Sequence, residues 1–205
     1  MPYDTLDTTD SIQKTILALT ERGFDPMLVH NKEEALAKIK ELIPQGASVT
    51  NGSSRTLEEI GFVDYLKAGT HGWNNLHDAV LAEKDSQKQS RLRKESTIAD
   101  VYLGSVHALS EDGDIVIASA SGSQLPSIVF NAQNIIFVVS TQKITPTLDE
   151  ALKRLREYVF PLEDARVKAT GAPGSVMAKI LIYEHEPAFM GRKVRVLLVN
   201  EKLGF

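Results

Sequence analysis

The chain has 205 residues, 27 acidic against 23 basic, a formal net charge of −4 and no cysteine. That length suits one α/β domain, 1–205, with a sizeable core, and the acidic balance argues against a nucleic-acid partner. Without cysteine the chain has no disulfide, thiol nucleophile, thiolate zinc site or Cys-held iron–sulfur cluster of its own.

The N-terminus, Met1-Pro2-Tyr3-Asp4, is polar and acidic rather than signal-like. No apolar stretch nears the roughly 20 residues of a membrane span, so a cytoplasmic protein without a membrane partner is expected. Asp10 or Thr9 is the expected cap of a first helix with Ile12, Ile16, Leu17 and Leu19 at helical spacing, closed by Gly23. Phe24–His30 predicts a short strand. Asn31 then caps a helix over Lys32–Ile43 that Pro44-Gln45-Gly46 ends. Ala47–Thr50 predicts a second strand feeding the turn Gly52-Ser53-Ser54-Arg55-Thr56, and Thr56–Ile60 a short helix closed by Gly61. This β–α–β order implies a parallel sheet with helices on its faces.

Gly69–Asn75 breaks the pattern. With Trp73 between His71 and His77 it reads as a loop anchored by a buried Trp, or alternatively as a lid over a cleft. His71 and His77 lack the i,i+4 spacing of a helical metal site. Leu76–Ser96 predicts one long polar helix lying across an edge or reaching a partner subunit, its basic run Lys88–Lys94 a solvated face.

Ala99–Ala108 is nearly continuously apolar, with a small break at Gly104-Ser105, and Asp112-Gly113 predicts a hairpin into Asp114–Ala120. A second turn, Gly122-Ser123-Gln124, precedes a short helix over Leu125–Ala132 and a buried strand over Ile135–Ser140. Thr147 and Glu150 form a capping box for a helix to Tyr158. A Gly/Pro-rich connection, Ala169–Ser175, leads to two closing strands, Lys179–Glu186 and Lys193–Asn200. The expected fold class is α/β: a mixed, mainly parallel sheet with helices on both faces and an inserted β-hairpin.

Each turn joins a β-branched run to a helical segment, a junction whose backbone amides and helix dipole suit an anion. Gly52, Ser53, Ser54, Arg55, Thr56, Gly122, Ser123 and Gln124 are therefore the candidate contacts of a small anionic metabolite. Lys143, after a buried strand, adds a cation at the carboxyl edge of the sheet. The plain alternative at each turn is an ordinary helix cap. Catalytic residues stay unassigned, with Glu58, Glu59 and Lys143 as candidates; the two glutamates equally suit a helix's first turn. His30, His107 and His185 have no ligand-spaced partner, so no metal site is expected; neither turn fits Walker A or the three-glycine dinucleotide fingerprint, and no cofactor is expected.

The block Ala99–Arg166 resembles the LUD domain, the lactate-utilisation family. The likeness rests on Ala99-Asp100-Val101-Tyr102, on Ala108 through Val116, on the Gly122 turn, on Ile135–Lys143, and on Ala151, Arg154, Pro161 and Arg166. Upstream, Gly52-Ser53-Ser54-Arg55-Thr56-Leu57-Glu58-Glu59-Ile60-Gly61 is similar to another family segment, as is the closing Val199–Phe205. The resemblance implies a NagB/RpiA/CoA-transferase-like fold, whose Gly-Ser-Thr loops hold the phosphate or carboxylate of a sugar phosphate, a folate or an acyl group. It also implies growth on lactate beside iron–sulfur partner proteins, with this chain as the cluster-free member. Many relatives carry Gly-Asn-Arg at the second turn and Gly-x-Asn-Lys after the buried strand; here the residues are Gly122-Ser123-Gln124 and Ser140-Thr141-Gln142-Lys143. Three functions follow: a binder of an anionic metabolite in lactate oxidation; an enzyme of the 5-formyltetrahydrofolate cyclo-ligase or CoA-transferase-like type; or a non-catalytic interaction subunit of an iron–sulfur oxidase complex. A homo-oligomer is compatible with each.

Overall fold

A computed structural model describes residues 3–205, so Met1 and Pro2 of the polar N-terminus lie outside the described residues. Helix α1 (Thr9–Glu21) is capped not by Thr9 or Asp10 but by Thr8, whose extended backbone lets its hydroxyl accept from the Ser11 amide at 3.3 Å. Strand β1 (Asp25–Val29) follows. Asn31 caps α2 (Lys32–Leu42) as expected, accepting from the Glu34 amide at 2.9 Å. After β2 (Ser48–Asn51) come two short helices, α3 (Arg55–Glu59) and α4 (Phe62–Lys67), and a two-residue strand β3 (Asn74–Asn75).

The predicted long polar helix is two helices, α5 (Leu76–Ala82) and α6 (Ser86–Glu95). Asp85 restarts the chain as an N-cap, accepting from the Gln87 and Lys88 amides at 3.0 and 2.9 Å. The chain continues through β4 (Val101–Gly104), β5 (Ala108–Ser110) and β6 (Ile115–Ser119). A π-helical turn (Ser127–Asn131) stands where a short α-helix is predicted, and β7 (Asn134–Ser140) and β8 (Ile144–Thr145) follow. Helix α7 (Leu148–Arg154) opens with the predicted Thr147 cap, runs through a π-helical turn (Leu155–Val159) and continues as α8 (Phe160–Ala169). Proline inside an α-helix removes one backbone bond and crowds the preceding turn. The widened π turn just before Pro161 accommodates it, so the helix passes Tyr158, where it is predicted to end. Strands β9 (Lys179–Tyr183) and β10 (Lys193–Val199) close the fold.

Six strands form an entirely parallel sheet in the order β1-β10-β7-β4-β2-β3, flanked by helices as expected. The hairpin β5–β6 belongs to a second sheet, β8-β5-β6-β9. Gly104-Ser105 is thus more than a small break in one strand: the chain there leaves the large sheet for the small one. Alternation along β7 explains the layers. Ile136 and Val138 face a core closed by α2, α3 and α4, whereas Ile135, Phe137 and Val139 face α1 and the small sheet. The outer face of the small sheet is covered by Ala151, Leu155 and Val159 of the α7–α8 stretch.

Trp73 is buried in the first of these cores and stacks on His71 at 5.1 Å between ring centroids. His71 Nδ1 accepts from the Trp73 amide at 3.0 Å and Nε2 donates to the Leu66 carbonyl at 3.1 Å. This loop is an anchor rather than a lid. No helix among the described residues is long and apolar enough to cross a membrane.

Candidate functional site

At the carboxyl ends of β2, β4 and β6 the two sheets leave a cleft of about 370 Å³. Gly52 through Thr56 line it, and so do Ser123, Gln124 and Lys143; Gly122 itself does not. The two turns therefore share one cleft, and they differ in their backbone: in the first the Gly52 amide donates to the Leu103 carbonyl at 3.1 Å. Ser54 caps the five-residue α3 by accepting from the Leu57 amide at 3.2 Å. In the second turn the Gly122 amide donates to Ser119 Oγ at 2.8 Å, and the Ser123 amide to Ser121 Oγ at 3.2 Å. A π-helical turn, Ser127–Asn131, follows.

Arg55 is flanked by carboxylates of its own helix, Glu58 at 2.8 Å and Glu59 at 3.1 Å. Glu59 also accepts from the Gly204 amide at 2.7 Å. Neither glutamate lines the cleft.

Gly52 is needed for packing: an added Cβ would stand 2.8 Å from the Tyr102 hydroxyl. Gly104 approaches the same ring: a Cβ there would also meet the hydroxyl at 2.8 Å. Gly52→Ala is therefore expected to destabilise the protein by about 1–3 kcal/mol, the usual range for overpacking, read as a lower denaturant midpoint at unchanged m-value.

Lys143 is only 3% exposed, at the floor of the cleft. Its Nζ donates to Thr56 Oγ1 at 3.0 Å, Ser105 Oγ at 3.1 Å and the Val106 carbonyl at 3.2 Å, all neutral oxygens. Burial, with the Arg154 charge nearby, pulls its pKa down to about 7 against the opposing pull of Glu59. His107 also lines the cleft. Its Nδ1 accepts from the Ala118 amide at 3.1 Å, so Nε2 carries the proton. Burial and then the charges of Lys143 and Arg154 hold its pKa at about 3, so His107 is a neutral donor. Arg154, fully buried behind it, donates to the His107 carbonyl and, at 3.3 Å, to the Tyr3 carbonyl.

The LUD domain family model matches residues 12–199. The chain belongs to the LUD domain family. At the level of the family it is a lactate-utilisation-related protein. A solved structure of a DUF162 family protein from Deinococcus radiodurans shares the fold, with a TM-score of 0.54 over 96% of this chain and 100% of that one, at 14% identity. No curated protein matches the chain.

Two further cations line this LUD-domain cleft. Arg93, in the last turn of α6, lines it although its helix buries no residue. Arg166 lines it too, held by both oxygens of Glu163 at 2.7 Å. The signal for Arg166 was its place in the family pattern; for Arg93 a solvated basic run gave none. The closing connection also reaches the site, since Ser175, Val176 and Met177 line the cleft. No group of three His, Asp or Glu side chains among the described residues is placed to hold a metal ion.

Proposed function

We propose that this LUD-domain protein binds a small anionic metabolite in the cleft, as a cluster-free cytoplasmic component of lactate oxidation. The supporting observation is charge: four cations line the cleft, of which Arg55 and Arg166 are paired with Glu58, Glu59 and Glu163, while Arg93 and Lys143 have no carboxylate partner among the described residues. Leu155, Val159, Phe160 and Met177 supply an apolar wall, so the ligand is an organic anion rather than a bare ion.

A thermal-shift screen with lactate, acyl-CoA, sugar phosphates, nucleotides and folates tests this reading. A true ligand at a hundred times its Kd adds about 2.7 kcal/mol of stability. Arg93 makes no ion pair among the described residues, so Arg93→Ala should weaken binding about tenfold, the value of one charge-assisted hydrogen bond. The loss should shrink at high salt, as it does for exposed charges. Binding unchanged by both Arg93→Ala and Arg55→Ala would remove the cleft from consideration.

An enzymatic reading is favoured by Lys143 and His107 rather than by a glutamate nucleophile, since Glu58 and Glu59 are held by Arg55. An interaction subunit is supported by Ile98 and Phe130, 71% and 68% exposed on segments tied together by an Asn131–Thr97 hydrogen bond of 2.9 Å.

A further inference from the structure

Lys143 has an environment unlike that of a structural lysine. A buried ammonium is ordinarily paired with a carboxylate, because an unpaired buried charge is costly. Here all three partners are neutral, and two are hydroxyls. Hydroxyls can reverse role, donating to an amine as readily as they accept from an ammonium. The site thus tolerates the neutral amine, which a carboxylate partner would not. Glu59, the carboxylate whose charge opposes deprotonation, is held by Arg55 and the Gly204 amide, while the Arg154 charge favours it. Burial brings the amine near half-neutral at pH 7.

The Ser105 contact is the part-buried one of the three, and Ser105 itself lines the cleft. Loss of the proton on that side exposes a lone pair to the cleft. The same lining holds the neutral Nε2–H of His107 and the cations of Arg93 and Arg166.

Resting on the anion-cleft reading above, we propose that Lys143 is a catalytic amine that condenses with the carbonyl carbon of a small oxo acid. The Nζ lone pair forms the C–N bond while the carbonyl electron pair moves to oxygen, next to the His107 N–H. Both amine protons then leave with that oxygen as water, relayed by the Thr56 and Ser105 hydroxyls, and the C–O bond breaks to leave an imine. A proton from solvent converts it to the iminium. The arginines hold the carboxylate, so the substrate class is a carboxylate bearing a ketone or aldehyde.

The test uses the intact protein with glyoxylate or pyruvate and cyanoborohydride, which delivers hydride to an imine carbon and leaves a stable secondary amine. Peptide mapping should place the adduct on Lys143, formed at least about tenfold faster than on exposed lysines, which are almost wholly protonated at pH 7. Its rate should level off above pH 7, where that of an exposed lysine keeps rising. Thermal shifts on the same samples, with lactate as an anion that lacks a carbonyl, separate the two ideas. Stabilisation by the oxo acids and lactate without a Lys143 adduct overturns the amine and leaves the cleft reading standing. No stabilisation and no adduct overturns both. Equal trapping of neutral acetone overturns the oxo-acid class. Lys143→Arg should keep the stabilisation and lose the adduct; mapping on the wild-type chain decides the matter if that variant fails to fold.

Discussion

Raising the pH from 7 to 9 is expected to stabilise the protein by about 2 kcal/mol through Lys143 alone, and Lys143→Met to remove that gain. The folded-state pKa is about 7, the ordinary value 10.5. Between the two, the unfolded chain holds a proton on Lys143 that the folded chain has released. Stability therefore rises with pH across this window and falls as pH drops through 7, where the buried ammonium must be carried. The window ends near pH 10: burial raises the pKa of Tyr102, so above its ordinary value only the unfolded chain gains the phenolate, which favours unfolding. Urea unfolding of wild type and Lys143→Met at pH 7, 8 and 9 checks the difference, and other titrating groups cancel between the two. Parallel curves would mean that Lys143 stays charged when buried, and would also weaken the case for its chemistry as an amine.

Helix caps are legible in the sequence because their physics is local. Asn31 and Thr147 cap the helices they precede, through side-chain oxygens three residues from the amides they satisfy. Failures arise where a distant partner decides. Val101–Gly104 and Ala108–Ser110 lie in one apolar run, yet pair in different sheets: the Asp112-Gly113 turn announces the β5–β6 hairpin, but no local signal says that β4 joins β2 and β7. The Asp85 cap was masked by the uniformly polar run around it. Residues of both glycine turns line one cleft, and in the second turn the amides are used internally. Its Gly122 and Ser123 amides close onto Ser119 and Ser121. Positive charge in the cleft comes from side chains on four separate elements, and periodicity cannot say which exposed arginine faces a concave surface.

Phe137→Ala is expected to cost about 3–5 kcal/mol, a large part of the roughly 5–15 kcal/mol that holds a typical domain together. Phe137 is fully buried on β7, opposite Val196 of β10 on one side and Gly104 of β4 on the other. It faces the core between the two sheets, where β4 cannot fill a cavity because Gly104 has no side chain to move. The melting temperature should fall by roughly 10 °C, while Phe130→Ala, at a residue 68% exposed, should change stability by no more than about 0.5 kcal/mol. A second readout ties this core to the cleft. Gly104 leads directly into Ser105 and Val106, two of the three acceptors of Lys143. A cavity at Phe137 loosens that segment and admits water to the lysine, which moves its pKa back toward the ordinary value. The gain in stability between pH 7 and 9 should therefore shrink in Phe137→Ala and persist in Phe130→Ala. If Phe137→Ala loses stability but keeps the full pH-dependent gain, the lysine is held dry by the cleft walls alone, independently of the core beneath them.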